Sequence, residues 1–475
     1  MGTVWIREFT GGLDTRKLVE TSKGGTLVRA VDCHINRGGE VEQRAAFVKV
    51  YDLPAGTVGL AFRPSGLVVF GSADAPAMPD GVAYQRLQHP DGATKLTRVE
   101  SSDLFSGKTY ASATFADATL YHFYDGARVT DYGGNSAITP GRFVRTFGQK
   151  MNFISGPNLV YSALKNATSY DTANAGAGFN DLSEEDYGSE DLTAIGKYQN
   201  YLAIFSDRTV QIRYMDPDPT QSKAIQALHN TGTVSPRSVT QFGDNDLFYL
   251  DASGIRSLRA RDASNSAVTT DIGSAVDTLV TDSVSDVTDD QLYRAIGLIE
   301  PRDGRYWMIL ADQIFVFSYF PSAKVSAWTT YRPGFLIEDA VVFKRRVYVR
   351  SGDAIYVYGG LGRAFEYDDT AAVMWAPYLD AEKPTIEKTW NGIDVACRGE
   401  WQIDFAMDPS NEAASDKVAI VDGTTYAENR LPAGHKSTHV SVRLTSKGSR
   451  DEGGPNTVGS VVIHYEGDEK DEAKA

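Results

Sequence analysis

The sequence predicts an all-β fold, an irregular β-propeller with a small β-sheet platform domain built from the N- and C-terminal segments. Three observations predict it. Alternating apolar segments joined by short polar turns recur from residue 59 onward, the mark of antiparallel hairpins with one buried face. Anchors at Phe62, Phe115, Phe147, Tyr201, Leu247, Trp307 and Phe343 stand 53, 32, 54, 46, 60 and 36 positions apart, a mean of about 47 that suits a propeller blade of ~40 to 50 residues. Both chain ends depart from that rhythm. A β-sandwich or β-helix also yields many short strands, and spacing leaves both open.

Near the start, Leu27, Val31 and Ile35 precede an Arg37-Gly-Gly-Glu40 turn, where glycine supplies the positive φ required, and residues 41–50 read as strand. Hairpins follow. Leu60 to Phe70 turns at Pro64 to Gly66, and further hairpins lie at 115–124, 147–154, 195–214, 242–250, 303–310 and 343–349. Residues 162–191, rich in Ala, Asn, Gly and acids, read as a long exposed loop. Ile272, Val276, Leu279 and Val280 have helical spacing and predict a short amphipathic helix over 271–282. After Arg363, strands are expected over 374–379, 389–396, 401–407, 418–421, 438–444 and 458–464, as a separate small sheet domain. The boundaries are then 1–50 for the N-terminal arm, 51–365 for the propeller, 366–466 for the C-terminal platform and 467–475 for a charged, disordered tail.

Composition narrows the function classes. The chain has 475 residues, 62 acidic against 47 basic, and a formal charge of −15. Such a surface repels phosphate backbones. No apolar run approaches the ~20 residues that span a bilayer, and residues 1–10 lack a signal-peptide layout, so a soluble protein made in the cytosol is expected. Cys33 and Cys397 are the two cysteines and are expected reduced in the core. The Asn166-Ala-Thr168 sequon matters only in a secreted protein.

Most candidate sites reduce to structural readings. His435 and His439 could share a metal on a helix, but their surroundings favour a strand, where that spacing separates them by ~13 Å. Asp216-Pro-Asp-Pro resembles the opening of a calcium loop, but Gln221 and Ala227 occupy the positions of its Gly and Glu. Gly359-Gly-Leu-Gly362 lacks the Lys-Ser/Thr of a phosphate loop and reads as a turn. No Gly-x-Ser-x-Gly elbow occurs, and acid pairs such as Asp289-Asp290 or Glu184-Glu185 have little specificity as glycosidase pairs. No enzyme activity, metal or cofactor is expected. The 11% aromatic content is read as core and blade-to-blade packing. Acidic clusters are more distinctive: Asp181, Glu184, Glu185, Asp186, Glu190 and Asp191 fall within eleven residues, and 277–290 holds five more aspartates. A solvated loop and an anionic channel lining or gate are both open readings.

Several motifs, in order, resemble the tail nozzle proteins of short-tailed bacteriophages, the group called tail tubular protein B, and the related packaged-DNA stabilisation proteins. They are Phe9-Thr-Gly-Gly-Leu-Asp14, Arg37-Gly-Gly-Glu-Val-Glu-Gln-Arg44 with Leu53-Pro54, Asn158-Leu-Val-Tyr-Ser162, the stretch Leu192 to Gln211, the helix near Ala275, Asp303-Gly-Arg-Tyr-Trp307, Ile314-Phe-Val-Phe317 and Ala327-Trp328. The chain is compact beside the larger nozzles. The resemblance implies a homohexameric virion ring docked on the head-to-tail adaptor, propellers around an axial channel, passage of genomic DNA, and neighbouring tail fibre, spike or needle proteins. Synthesis in the host cytoplasm and no membrane insertion of its own follow from the same likeness. Two other classes remain: a glycan-active propeller tail enzyme, which would turn over sugar, and a lectin-like binding module, which would hold immobilised glycans.

Overall fold

The computed structural model describes residues 2–74, 76–136, 138–183, 191–260, 267–426, 431–448 and 454–467. Among them, six small sheets and four strands of a larger sheet, Ile296–Ile299, Tyr306–Leu310, Gln313–Phe320 and Val325–Tyr331, are arranged in a ring as seven blades. Their innermost strands are Val58–Arg63, Leu96–Phe105, Phe143–Phe147, Leu192–Tyr198, Thr240–Phe242, Ile296–Ile299 and Asp339–Phe343. Each touches the next, and the last returns to the first, which makes a closed seven-bladed β-propeller. The seven sequence anchors fall one to a blade. Phe62, Phe147 and Phe343 lie on innermost strands and the other four on second strands, which contributes to their uneven steps.

Blade one has three strands, and its third, Val82–Arg86, runs parallel to Gly66–Gly71. Blade seven takes its fourth strand from upstream of blade one: Phe47–Asp52 pairs antiparallel with Ala354–Tyr358. Hydrogen bonds between distant parts of the chain thus close the ring. The expected arm boundary at residue 50 is corrected by this strand. Buried Arg44, Ala45 and Ala46 divide the expected 41–50 strand into Val41–Gln43 and Phe47–Asp52, because the chain crosses there from platform to propeller.

Apolar clusters fill the interfaces between neighbouring blades, and the period-two side-chain alternation feeds both faces. In blade five, Leu247, Tyr249 and Leu258 pack toward blade four, whereas Phe248, Leu250 and Ile255 pack toward blade six. Trp307 and Ile309 face blade seven, while Tyr306 and Met308 face blade five. The one-buried-face expectation is therefore corrected for these middle strands. Blades stack on both sides, so Tyr306–Leu310 is buried at every position.

Residues 162–182 are not an exposed loop. Ala163, Ala167, Tyr170, Ala177 and Leu182 are buried, and Gly178–Asp181 is the outer strand of blade three. Tyr170 is drawn in by a polar network between blades two and three. The Tyr110 hydroxyl lies 2.9 Å from the Tyr170 hydroxyl and 3.1 Å from His122 Nδ1, and His122 Nε2 lies 2.8 Å from the Gly141 carbonyl oxygen. Burial pushes the His122 imidazole down to about 4.

The helix is also shifted, to Asp277–Asp286, with a second at Asp289–Tyr293 capped reciprocally by Thr288 and Gln291. Residues 272–275 cannot join the first helix because their carbonyls are engaged elsewhere. Ile272 accepts from Trp328 Nε1 at 2.9 Å, and Ala275 accepts from the Thr15 amide at 2.8 Å.

The chain ends form a second body. Its strand path runs Arg29–Val31, Val373–Trp375, Ser441–Ser446, Lys388–Ala406, Thr457–Gly467, Val41–Gln43 and Cys33–Ile35. First and last belong to one segment kinked at Asp32, whose φ is 55°, so the sheet curls back on itself as a barrel. The two strands expected over 389–407 are one strand of 19 residues. It changes partners around Gly399, where φ is 78°. Nor is the platform sheet separate: Thr330, in the outer strand Val325–Tyr331 of blade six, pairs with Val31, and Gly12 pairs with Trp328. Barrel core and the interface of blades five and six form one apolar cluster.

Two outcomes follow from this packing. A Cβ at Gly297 would collide with the Ser238 carbonyl, whereas one at exposed Gly434 meets nothing within 4 Å. Gly297→Val is expected to cost roughly 1–3 kcal/mol in urea unfolding, the scale of overpacking, and Gly434→Val to leave the midpoint in place. His122 has a lowered folded value, so unfolded chains bind the proton first as pH falls below 6.5. Stability should drop by about 3 kcal/mol between pH 6.5 and about 4, and His122→Asn should flatten that limb in pH-resolved denaturation.

Candidate functional site at the junction of propeller and barrel

The two glycine motifs meet at the junction. Phe9 is fully buried, and its amide donates to the Gly39 carbonyl at 2.8 Å. Gly12 has a φ of 56° and approaches so closely that a Cβ would lie 2.7 Å from the Trp328 carbonyl oxygen. Asn36 Oδ1 accepts from the amides of Gly38 and Glu40 and shapes the intervening turn. The first motif therefore docks the arm on blade six, and the second supports the first.

Arg44, the end of the second motif, is 2% exposed. Its Nε donates to Asp32 Oδ1 at 2.7 Å, Nη1 to the Ala45 carbonyl at 2.9 Å and Nη2 to Thr370 Oγ1 at 3.0 Å. Asp32 Oδ1 also accepts from the Arg332 amide at 2.9 Å, just beyond blade six. Gln43 Nε2 donates to the carbonyls of Asp368 and Thr370, and its Oε1 accepts from Asn456 Nδ2. Arm, propeller and C-terminal platform segment are tied through these two adjacent side chains.

Beside them lies a cleft of about 300 Å³. The barrel hairpin contributes His34, Asn36, Arg37 and Glu42; blade six contributes Arg302, Asp303 and Arg305; Tyr358, Phe365 and Tyr367 complete the wall. Burial, reinforced by the nearby Arg305 charge, lowers the His34 imidazole. Burial opposes ionisation of Glu42, but the adjacent His34, the Asn36 hydrogen bond and the Arg305 charge outweigh it and lower the carboxyl. Sequence reasoning did not single out this cleft, because its residues come from three distant segments. The signal was present in the two motifs Arg37 to Arg44 and Asp303 to Trp307.

The sequence-predicted acids are distributed differently. Asp181 ends the outer strand of blade three, and its Oδ1 accepts from the Ser183 amide and hydroxyl at 2.9 and 2.6 Å, which lowers its carboxyl. Asp191 immediately precedes the innermost strand of blade four. Glu184, Glu185, Asp186 and Glu190 lie outside the described residues. Of the aspartates over 277–290, Asp277 pairs with Arg256 and Asp290 with Arg98 and Arg294. His435 lies on the strand Leu431–Ser437, near Asp416, and Asp216 and Asp218 form turns around a short 3-10 helix.

The axial cavity of the propeller, about 520 Å³, is walled by innermost strands of every blade and includes Asp103, Arg145, Lys197 and Gln241. Neither Asp181 nor Asp191 is on that wall. Ion pairs lace one of its ends: Arg237 reaches Asp339 at 2.9 Å and Arg350 reaches Asp339 at 2.7 Å. Among the described residues no group of three or more His, Cys, Asp and Glu side chains is arranged to hold a metal.

Removing the arginine of the junction leaves Asp32 buried without its charged partner. Arg44→Met is expected to cost about 3–5 kcal/mol, and to split a single unfolding transition in guanidinium into separate propeller and barrel steps when tryptophan fluorescence and circular dichroism are followed together.

No protein-family model matches the chain, and no curated protein sequence matches it. Solved structures similar to it include the Neurospora crassa Pan2 WD40 domain, 10% identical with a TM-score of 0.40 and covering 66% of this chain and 91% of that one. BamB from Moraxella catarrhalis is 10% identical with a TM-score of 0.37, covering 68% of this chain and 99% of its own.

Proposed function

We propose that this chain is a non-enzymatic virion protein: the subunit of a homohexameric tail nozzle of a short-tailed phage, docked on the head-to-tail adaptor, which retains packaged DNA and conducts it during ejection. The observation that carries this reading is the meeting of the two motifs, Phe9 to Asp14 and Arg37 to Arg44, at the seam that binds barrel to propeller. The residues on which the family resemblance rests thus have a physical task here. A ring subunit that carries load between an adaptor and a tail tip needs two lobes that move as one. The continuous core and the buried polar junction supply that rigidity.

In this reading the conduit is the space enclosed by six copies, because the 520 Å³ cavity inside one propeller is of small-ligand size. Six chains of −15 carry a formal −90 around a duplex with one charge per ~1.7 Å. An anionic wall offers DNA little to hold, and screening confines the effect to groups within ~8–10 Å. The segment from Asp181 to Asp191 is the proposed lining or gate.

Cryo-electron microscopy of the intact particle tests the assignment. The expected result is sixfold density for this chain below the portal adaptor, with the 181–191 segments directed at the lumen. Density for a single copy away from the tail axis, or a lumen lined by lysine and arginine, would overturn it.

A further inference from the structure

The junction cleft contains donors without acceptors. Arg305 and His34 are each 4% exposed, and both line the cleft. Arg305 Nη1 donates to Asp303 at 2.8 Å, but its Nε finds no acceptor among the described residues. His34 Nδ1 lies 2.8 Å from the Tyr331 hydroxyl. With that hydroxyl donating, the imidazole proton resides on Nε2. Nε2 has no hydrogen-bond partner either: Glu42 Oε1 stands 3.4 Å away, outside hydrogen-bond geometry. A buried donor without an acceptor costs about 1–3 kcal/mol, so two in one polar cavity require an explanation.

Charge indicates what kind of group would satisfy them. Arg37 and Arg302 are exposed cleft residues, their guanidinium carbons 4.7 Å from the Phe320 ring and 4.0 Å from the Phe365 ring. Stacking fixes the guanidinium planes and leaves their edges to bind oxygen. Two carboxylates line the same space, and both are engaged: Glu42 by Asn36 and by proximity to His34, and Asp303 by Arg305. With the imidazole neutral, three guanidinium groups against two carboxylates leave the cleft one unit positive, in a chain of charge −15.

We propose that this cleft binds a compact oxyanion, a phosphate or a carboxylate, which accepts from Arg305 Nε and His34 Nε2 at its floor and from Arg37 and Arg302 at its rim. The ligand bridges the barrel hairpin and blade six, so its binding stabilises the joint between the two lobes. The proposal is independent of the nozzle reading, since it requires only the monomeric fold.

Inorganic phosphate and sodium acetate, each against sodium chloride at matched ionic strength, are the probes for the purified full chain. A saturable rise in melting temperature and a matching calorimetric isotherm are expected with phosphate, with acetate, or with both; the pattern tells a tetrahedral from a planar oxyanion. Arg37→Ala and Arg302→Ala remove exposed side chains and should each weaken the apparent Kd about tenfold, the scale of one charge-assisted hydrogen bond. Arg128→Ala removes the same charge from an exposed site in blade two and should leave the Kd unchanged. Absence of saturation with both anions, meaning that water fills the cleft, would overturn the proposal. So would equal weakening by all three variants, which would mark diffuse attraction to positive charge.

Discussion

One buried ion pair sets the joint between barrel and propeller. Asp32 occupies a left-handed kink in the segment that both opens and closes the barrel, and Arg44 sits where the chain leaves the barrel for the propeller. Their 2.7 Å bond fixes the kink, the crossing and the end of blade six at one point. Taking two charges out of water is unfavourable in itself, and the attraction compensates only when remaining donors and acceptors are satisfied. Arg44 has bonds from all three guanidinium nitrogens and Asp32 Oδ1 accepts from both Arg44 and the Arg332 amide, yet burial still outweighs the attraction and raises the Asp32 carboxyl. Such a pair is better suited to specifying a joint than to adding stability.

Around that point the two lobes are joined in two further ways. Phe47–Asp52 leaves the junction and completes blade seven, so the barrel's exit strand also closes the propeller. On the other side, Phe317 and Trp328 of blade six, together with Trp390 and Trp401 of the barrel, belong to one continuous core. A displacement of the barrel would therefore strain both the ring closure and that core. Polar geometry sets the angle of the joint, and apolar burial gives it most of its strength.

How much was legible in the sequence follows from how local each cause is. Hairpins were legible because alternation and turn residues act within about ten positions; Phe62, Phe115 and Phe147 mark their blades for this reason. The helix was displaced because Ile272 and Ala275 give their carbonyls to Trp328 and Thr15, acceptor roles that periodicity does not encode. Residues 162–182 read as a loop because their composition is polar, yet Tyr170 is held by Tyr110, 60 positions away. At the site, the acid run 181–191 was conspicuous as a string of like charges. The junction cleft was not, since His34, Arg305 and Tyr367 converge only through the docking of barrel on blade six.

Charge is divided unequally between structure and surface, and this bears on what the outside of the molecule presents. Several arginines are consumed inside the fold: Arg44 with Asp32, Arg237 with Asp339, Arg350 with Asp339 and Glu338, and Arg256 with Asp277. These four arginines face four carboxylates, so the set is neutral and leaves the net charge to the other groups. The net −15 therefore resides on the remaining groups, among them Asp181 at the end of the outer strand of blade three and Asp191 just before blade four. An acid whose neighbours are acids, without an arginine alongside, projects its field about one Debye length into solvent. Some cations are thus paired at joints while Arg37, Arg128 and Arg302 stay exposed, so a polyanion near the surface meets a net-negative body carrying local positive patches.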